Sequence, residues 1–360
     1  MFPIITLDPI TIFDKINDAQ CNNKSITVLH DFFIDRIIKI KNIDEFFIRI
    51  KEKAKYGGGS IRGIPTTQIE GGNAVNIAYC LGKLGFYVDL FTITDDSSHM
   101  NLKHFFKDLP KVKLHLSNGK PGYTTSLEIQ NSIDLDNSNI MISDIGENSD
   151  FGSDRLNSPD DKEILFNSDA VILVNWASNW KGTELLKYVF KNSPKALHFV
   201  DPADIQTRSK EFCTLLRDPN NMIDILSINE NECNSLLFEL DLKNIYLSKK
   251  YNRNNIEIAI KELAKQLGVF IDLHTRYGCA CSYGDEVYFE YNIKNTIIRN
   301  LTGAGDSWDA ADIIGHLIEL PPQERLFFST VFASFYISIE NRQLISLKKF
   351  FDYYCNIYKK

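Results

Sequence analysis

The residues best able to do chemistry lie in the run Asn300 to Asp312, Asn-Leu-Thr-Gly-Ala-Gly-Asp-Ser-Trp-Asp-Ala-Ala-Asp. A strand-like run, Thr296 to Arg299, leads into Gly303, Ala304 and Gly305. Three small residues in a row let successive backbone N–H groups face one point without side-chain obstruction. Ala310, Ile313, Ile314, Leu317 and Ile318 recur at threes and fours and predict a helix immediately behind, stopped by Pro321 and Pro322. The positive end of that helix favours an anion the size of a phosphate. Asp306 stands beside it, and a carboxylate there repels such a ligand. Its presence is explained if it takes a proton from a hydroxyl that attacks phosphorus. On these residues alone, an aspartate cap on an ordinary glycine turn is an equally good reading.

Three further constellations carry polar side chains to element ends. Gly71 and Gly72 precede a helical pattern whose first turn holds Asn73 and Asn76, placed to bond a polyhydroxylated ligand or simply to cap the helix. The first strand ends in Leu29-His30-Asp31-Phe32-Phe33-Ile34-Asp35, putting Asp31 and Asp35 at the mouth of a sheet, where carboxylates accept hydrogen bonds from hydroxyls or cap turns. Asn229 and Glu232 open another helix; they read either as a capping box or as holders of the waters around a Mg²⁺ ion. No P-loop signature is present, no Gly-x-Gly-x-x-Gly follows the first strand, and His-Glu-x-x-His is absent.

The elements that must position these residues follow from hydrophobic periodicity. Ser25–His30, Phe86–Ile93, Asn139–Ser143, Ala170–Val174, Ala196–Val200, Ile223–Ile228 and Val269–Leu273 read as strands. Several are apolar throughout, as parallel strands covered on both faces are. Asn73–Leu84, Gly182–Phe190, Glu230–Phe238 and Ile256–Leu267 read as intervening helices. Alternation of this kind predicts a doubly wound α/β sheet with ligands at the carboxyl ends of its strands. Two stretches break it, about 36–70 and 111–130, and are expected to form a small lid. Residues 1–24 read as an added helix, and the Asn/Ser-rich segment 131–161 as a mobile loop. Leu326 to Ile339, interrupted by serines and a threonine, reads as a buried helix.

With 44% hydrophobic and 24% charged residues, the 360-residue chain has the composition of a globular protein. A net charge of −7 argues against general binding to nucleic acid or anionic membranes. Seven cysteines, an odd number without Cys-x-x-Cys spacing, point to a reducing, cytoplasmic setting. No signal-peptide pattern opens the chain.

Gly-Gly-Asn early, Asn-x-x-Glu late and Gly-Ala-Gly-Asp before a closing helix, in that order, resemble the ribokinase-like (PfkB-type) family of carbohydrate and nucleoside kinases, over about Ser25 to Phe350. The resemblance implies a Rossmann-like three-layer α/β/α sandwich with a small β lid, running from about residue 25 to the end. It implies ATP with Mg²⁺ as donor, and a sugar or nucleoside hydroxyl as acceptor. Asp306 then matches the catalytic base, and Gly303, Ala304 and Gly305 the anion hole. Asp31, Asp35, Gly71, Gly72, Asn73 and Asn76 fall on the acceptor side. Asn229, Thr275, Gly278, Gly303 and Gly305 fall on the nucleotide side, with Asn229 and Glu232 organising the metal through water.

Departures occur at His30, at Leu301, at Leu273-His274-Thr275-Arg276-Tyr277-Gly278 in place of the nucleotide strand, and at Thr94 to His99. They leave the phosphoryl-transfer centre intact. A nucleoside kinase would need a slot for the base, which Trp176 and Trp180 could supply. A catalytically silent binding protein on the same scaffold is the other alternative. Pairing of two lids would make a homodimer.

Overall fold

Strand after strand, neighbouring residues are buried in different directions, and this builds the layers. In the computed structural model, Val28, Ile172 and Val174 join one hydrophobic core, while Leu29, Val171 and Leu173 join a second. Alternate side chains leave opposite faces of a strand, so a sheet apolar on both must be covered on both. The structure describes residues 7–129, 138–156, 158–248, 251–294, 296–299, 301–340 and 342–359.

The strands are β1 (Ser25–His30), β2 (Phe33–Ile40), β3 (Thr66–Gly71), β4 (Tyr87–Thr94), β5 (Val112–Asn118), β6 (Gly122–Ile129), β7 (Ser138–Asp144), β8 (Ala170–Val174), β9 (Leu197–Asp201), β10 (Ile225–Asn229), β11 (Phe270–His274), β12 (Gly278–Tyr283) and β13 (Glu286–Tyr291). The helices are α1 (Pro9–Cys21), α2 (Ile43–Lys55), α3 (Asn73–Lys83), α4 (Asp96–Phe105), α5 (Pro159–Asn167), α6 (Gly182–Asn192), α7 (Ser209–Leu216), α8 (Glu230–Glu239), α9 (Arg253–Leu267), α10 (Ala304–Leu317), α11 (Pro322–Ser338) and α12 (Leu347–Tyr358).

Nine strands form the large sheet in the order β13-β12-β11-β10-β9-β8-β1-β4-β5. It is parallel from β11 to β5, and β12 and β13 add an antiparallel edge. The three-layer α/β/α sandwich is therefore the observed fold. A second sheet, β3-β2-β6-β7, stands apart from it. Its inner pair, β2 and β6, is parallel, with Asp35 opposite Thr124.

Several expectations change. Of the two strands expected in the lid from 111–130, β5 pairs in parallel with β4 at the edge of the large sheet, and only β6 enters the second sheet. Asn139–Ser143 is a strand, but of the second sheet rather than the first. The segment read as a mobile loop, 131–161, holds β7 and the first residues of α5, with residues 131–137 and 157 outside the described part. Thr296 to Arg299 joins no sheet; Arg299 N–H bonds the Ile337 carbonyl instead. Asn300 lies outside the described residues, as do residues 1–6 of the N-terminal segment. α1 is no appendage: Ile12, Phe13 and Ile16 are core, with Phe13 packed among Phe328, Phe350 and Tyr354. Each such buried side chain contributes roughly 1.5–3 kcal/mol.

One buried charge cluster locks α10 against the large sheet. Asp272 of β11 receives two hydrogen bonds from Arg325 of α11, at 2.8 and 2.9 Å. Arg325 also bonds Asp312 of α10, and His316 lies 3.2 Å from Asp272 and 3.5 Å from Asp312. Burial alone would raise the Asp272 carboxyl, but the guanidinium and His316 bring it down to about 2. This cluster sets the height of α10, and so of the residues at its first turn.

Candidate active site

Helix α10 begins at Ala304, and Gly303 caps it at φ 82°. A Cβ on Gly303 would stand 2.6 Å from Tyr336 Oη, so both backbone angle and space demand glycine. Ala304 N–H turns back to the Leu301 carbonyl at 3.2 Å, so it is engaged within the turn. Gly305, at the next position, belongs to the first turn, whose amides have no intrahelical acceptor. A side chain on Gly305 would meet only the Nε2 of His274, at 3.3 Å. The turn thus presents an open, positively polarised face.

Asp306 lies in that first turn and is only 8% exposed. Asn76 Nδ2 donates to its Oδ2 at 2.7 Å, and Arg342 Nη1 donates to Asn76 Oδ1 at 2.7 Å. Burial pushes the Asp306 carboxyl well above its ordinary range; Asn76 pulls it down, Asp201 and Asp31 push it up, and Arg342 pulls it down. Asp306 is therefore a basic carboxylate when ionised, held in one orientation, as a proton acceptor should be.

The two carboxylates of the first strand region divide their duties. Asp31 is fully buried and binds the start of α3: its oxygens accept from Asn73 N at 3.1 Å, Ala74 N at 2.7 Å and Asn175 Nδ2 at 2.9 Å. Gly72 permits this approach, since a Cβ there would lie 2.9 Å from the Asp31 carbonyl oxygen. Asp35 sits on β2, against Gly71 on β3, where any side chain would overlap its carboxylate. Burial raises Asp35 to about 6, although Arg342 pulls against that rise. Asp35 and Asp306 thus share one guanidinium from the C-terminal segment.

Asn229 and Glu232 form a complete capping box. Glu232 Oε2 accepts from Asn229 N at 2.8 Å and Oε1 from Asn229 Nδ2 at 2.7 Å. Glu232 is buried, and burial with the neighbouring Asp201 pushes its carboxyl well up. Asp201 and Asp309 are likewise buried and raised by desolvation. Among the described residues none of Asp201, Glu232, Asp306 or Asp309 has an ion-pair partner. Gathered carboxyl groups without an ion-pair partner fit a site for a hydrated divalent cation, whose waters would bond the lone pairs the capping box leaves free.

Thr275 and Gly278, expected at the nucleotide, close the β11–β12 turn on each other. Thr275 Oγ1 donates to the Gly278 carbonyl at 2.7 Å and accepts from Gly278 N at 3.2 Å. His274, one residue earlier, faces Gly305 instead; burial drops it to about 4, so its ring is neutral. Trp176 is core, packed on Phe212 and donating to Thr183, and Trp180 is 73% exposed over Arg208. Sequence reasoning missed Arg342, Tyr336, Asp201, Asp309 and His274. Asp309 carries a local signal, falling three residues after Asp306 on one helix face. Arg342 and Tyr336 carry none.

A family model described as the pfkB family carbohydrate kinase matches residues 38–348. The chain belongs to the pfkB family of carbohydrate kinases. Members of this family are phosphotransferases, and the paired glycine motifs of this pfkB chain fall at the two helix starts just described. No curated protein sequence matches it. Among solved structures it is similar to adenosine kinase from Sinorhizobium meliloti (15% identity, TM-score 0.69, 91% of this chain and 98% of that one). Ribokinase from Cryptococcus neoformans var. grubii in complex with ADP has 17% identity and a TM-score of 0.70 over 92% of this chain and 98% of that one. Ribokinase from Arabidopsis thaliana complexed with ribose and ATP has 19% identity and a TM-score of 0.65, with 92% and 98% covered. At these identities the likeness establishes the ribokinase fold.

Proposed function

We propose that this pfkB-family chain transfers the γ-phosphoryl group of ATP to a hydroxyl of a sugar, with Asp306 as general base. The reading rests chiefly on the juxtaposition of Asp306, held by Asn76, with the open first turn of α10 behind Gly303. Asp306 takes the proton of the acceptor hydroxyl as its oxygen bonds phosphorus; the bond from phosphorus to the bridging oxygen breaks and ADP leaves. Gly303 and Gly305 line the turn that receives the transferred group, where negative charge is stabilised by backbone dipoles. Mg²⁺, held through water by Asn229 and Glu232, would neutralise charge on the phosphates when bound. Asp35 and Asn76 orient the acceptor, and the second sheet keeps water from competing for phosphorus.

A sugar is favoured over a nucleoside by the side chains around the turn. Asp35, Thr124, Ser126, Glu128 and Thr302 are buried and polar. Thr302 Oγ1 donates to Glu128 Oε1 at 3.2 Å, joining the second sheet directly to the residue before Gly303. Such a lining suits a compact polyol, whereas a base needs an aromatic or apolar slot. Neither Trp176, which is core, nor Trp180, which lies over Arg208, provides one.

The test is ADP release from Mg²⁺–ATP with a panel of sugars, sugar acids and nucleosides, run beside Asp306→Asn. Sugar-dependent release that vanishes in the variant is expected. Release with nucleosides alone would overturn the acceptor assignment, and full turnover in the variant would overturn the base.

A further inference from the structure

The turn at Gly303 has a second polar neighbour that nothing in the reaction as described uses. Tyr336, near the end of α11, is 2% exposed, yet its hydroxyl has no hydrogen-bond partner among the described residues. Buried hydroxyls are nearly always paired, because leaving one unmade costs the desolvation of the group. An orphan at this spot calls for a reason, and its position supplies one. Oη stands 2.6 Å from where a Cβ of Gly303 would lie, and Asn76 Nδ2 stands 3.5 Å from the same point. Any side chain at position 303 would fill the space between the phenol and the start of α10, and glycine leaves it open. The Arg342 guanidinium lies 5.6 Å from the centroid of the Tyr336 ring and bonds Asn76 Oδ1 on its other side.

We propose that Tyr336 is a further donor of the anion hole, its Oη–H bonding an oxygen of the phosphoryl group in transit, with Arg342 as the positioning residue that holds Asn76 and the phenol together. The proposal rests on the kinase reading above for the identity of the anion, but not for its existence. A phenol suits this role because it is a single donor on a rigid ring, kept protonated by burial, and it cannot compete with Asp306 for the hydroxyl proton. A neighbouring guanidinium makes the O–H a stronger donor without touching the ligand itself. Preorganised donors act where charge develops and need no reorganisation at the moment of transfer. The orphaned hydroxyl is then a stability cost retained for that purpose, as strain and unpaired groups at reaction centres commonly are.

Tyr336→Phe tests this directly, because it deletes one oxygen and keeps the ring. Removal of a single oxyanion donor is expected to lower kcat about 100-fold, with the acceptor KM changed by no more than about twofold. Loss of an unpaired hydroxyl should leave the melting temperature unchanged or raise it. A structural role would give the opposite pattern, a lower melting temperature with parallel loss of activity, and would overturn the proposal. Unchanged kcat would overturn it too.

Tungstate, a tetrahedral oxyanion, provides a readout independent of turnover. It should raise the melting temperature of the wild-type chain and raise that of Tyr336→Phe distinctly less. Equal shifts in the two proteins, or none in either, would overturn the proposal. Should the wild type transfer phosphate to no acceptor, the kinase reading fails while the tungstate comparison still decides the role of Tyr336.

Discussion

Asn76 Nδ2 lies 2.7 Å from Asp306 Oδ2, although 230 residues separate them in the chain. The bond joins the first turn of α3 to the first turn of α10 and sets the orientation of the carboxylate over the glycine turn. Its second consequence is electrostatic, since the amide lowers a carboxyl that burial would otherwise raise further. Asn76→Ala should therefore move the acid limb of the kcat/KM profile to higher pH. It should also lower the plateau by about 10- to 100-fold, as orientation is lost. A pH–rate profile of both proteins checks it; an unmoved limb would show that Asp306 is not the titrating group.

Removing the proposed base should act on rate and leave the architecture alone. Asp306→Asn is expected to lower turnover by about 10²- to 10⁴-fold, the usual contribution of a positioned base. Binding of the proposed sugar acceptor, followed by calorimetry, should persist. Because the carboxyl is buried without an ion-pair partner, the variant should melt at or above the wild-type temperature near neutral pH.

Asp35 offers a sign test through stability. Its folded-state value of about 6 lies above the ordinary 3.8, so the native state holds the proton more tightly than the unfolded chain. Below the unfolded value both states are protonated and Asp35 costs nothing. Stability falls as pH rises between the two values, and the full cost, about 3 kcal/mol at most, is present above the folded value. Asp35→Asn should thus be more stable than the wild type at pH 7.5 in urea unfolding, with the gap closing near pH 4, while affinity for the proposed sugar acceptor drops. A gap independent of pH would contradict the burial argument.

The buried cluster behind α10 should respond in the reverse sense. Arg325→Met leaves Asp272 and Asp312 buried beside each other with only His316 at hand, and breaking such a pair typically costs about 3–5 kcal/mol. Asp272 is held at about 2, so its contribution is present above the ordinary value and is lost as pH falls toward 2. Wild type and variant should therefore differ most near neutral pH and converge in acid. Calorimetric melting across pH 2.5 to 7 measures this directly.

Much of the fold was legible in local pattern. Val171 to Val174 is a short apolar run of the kind that only a doubly covered parallel strand accommodates, and it occupies such a strand between β1 and β9. The start of α8 at Asn229 follows from capping chemistry carried by adjacent residues, whereas the start of α3 after Gly72 is capped by Asp31 of another segment. The partition of β5 and β6 between two sheets was not legible, because both alternate polar and apolar residues and only their pairing partners differ.

The sequence by itself determined that Gly303, Gly305 and Asp306 would share a helix start, since residues so close cannot be far apart in space. It could not decide which carboxylate of Asp31 and Asp35 would cap a helix and which would remain beside the glycine turns. Nor could it bring Tyr336 and Arg342 to Gly303 and Asn76. Those relations depend on how α3, α10 and α11 pack and on which strands flank β1. Packing of elements distant in the chain is a property of the whole core, so residue types and short spacings carry no record of it.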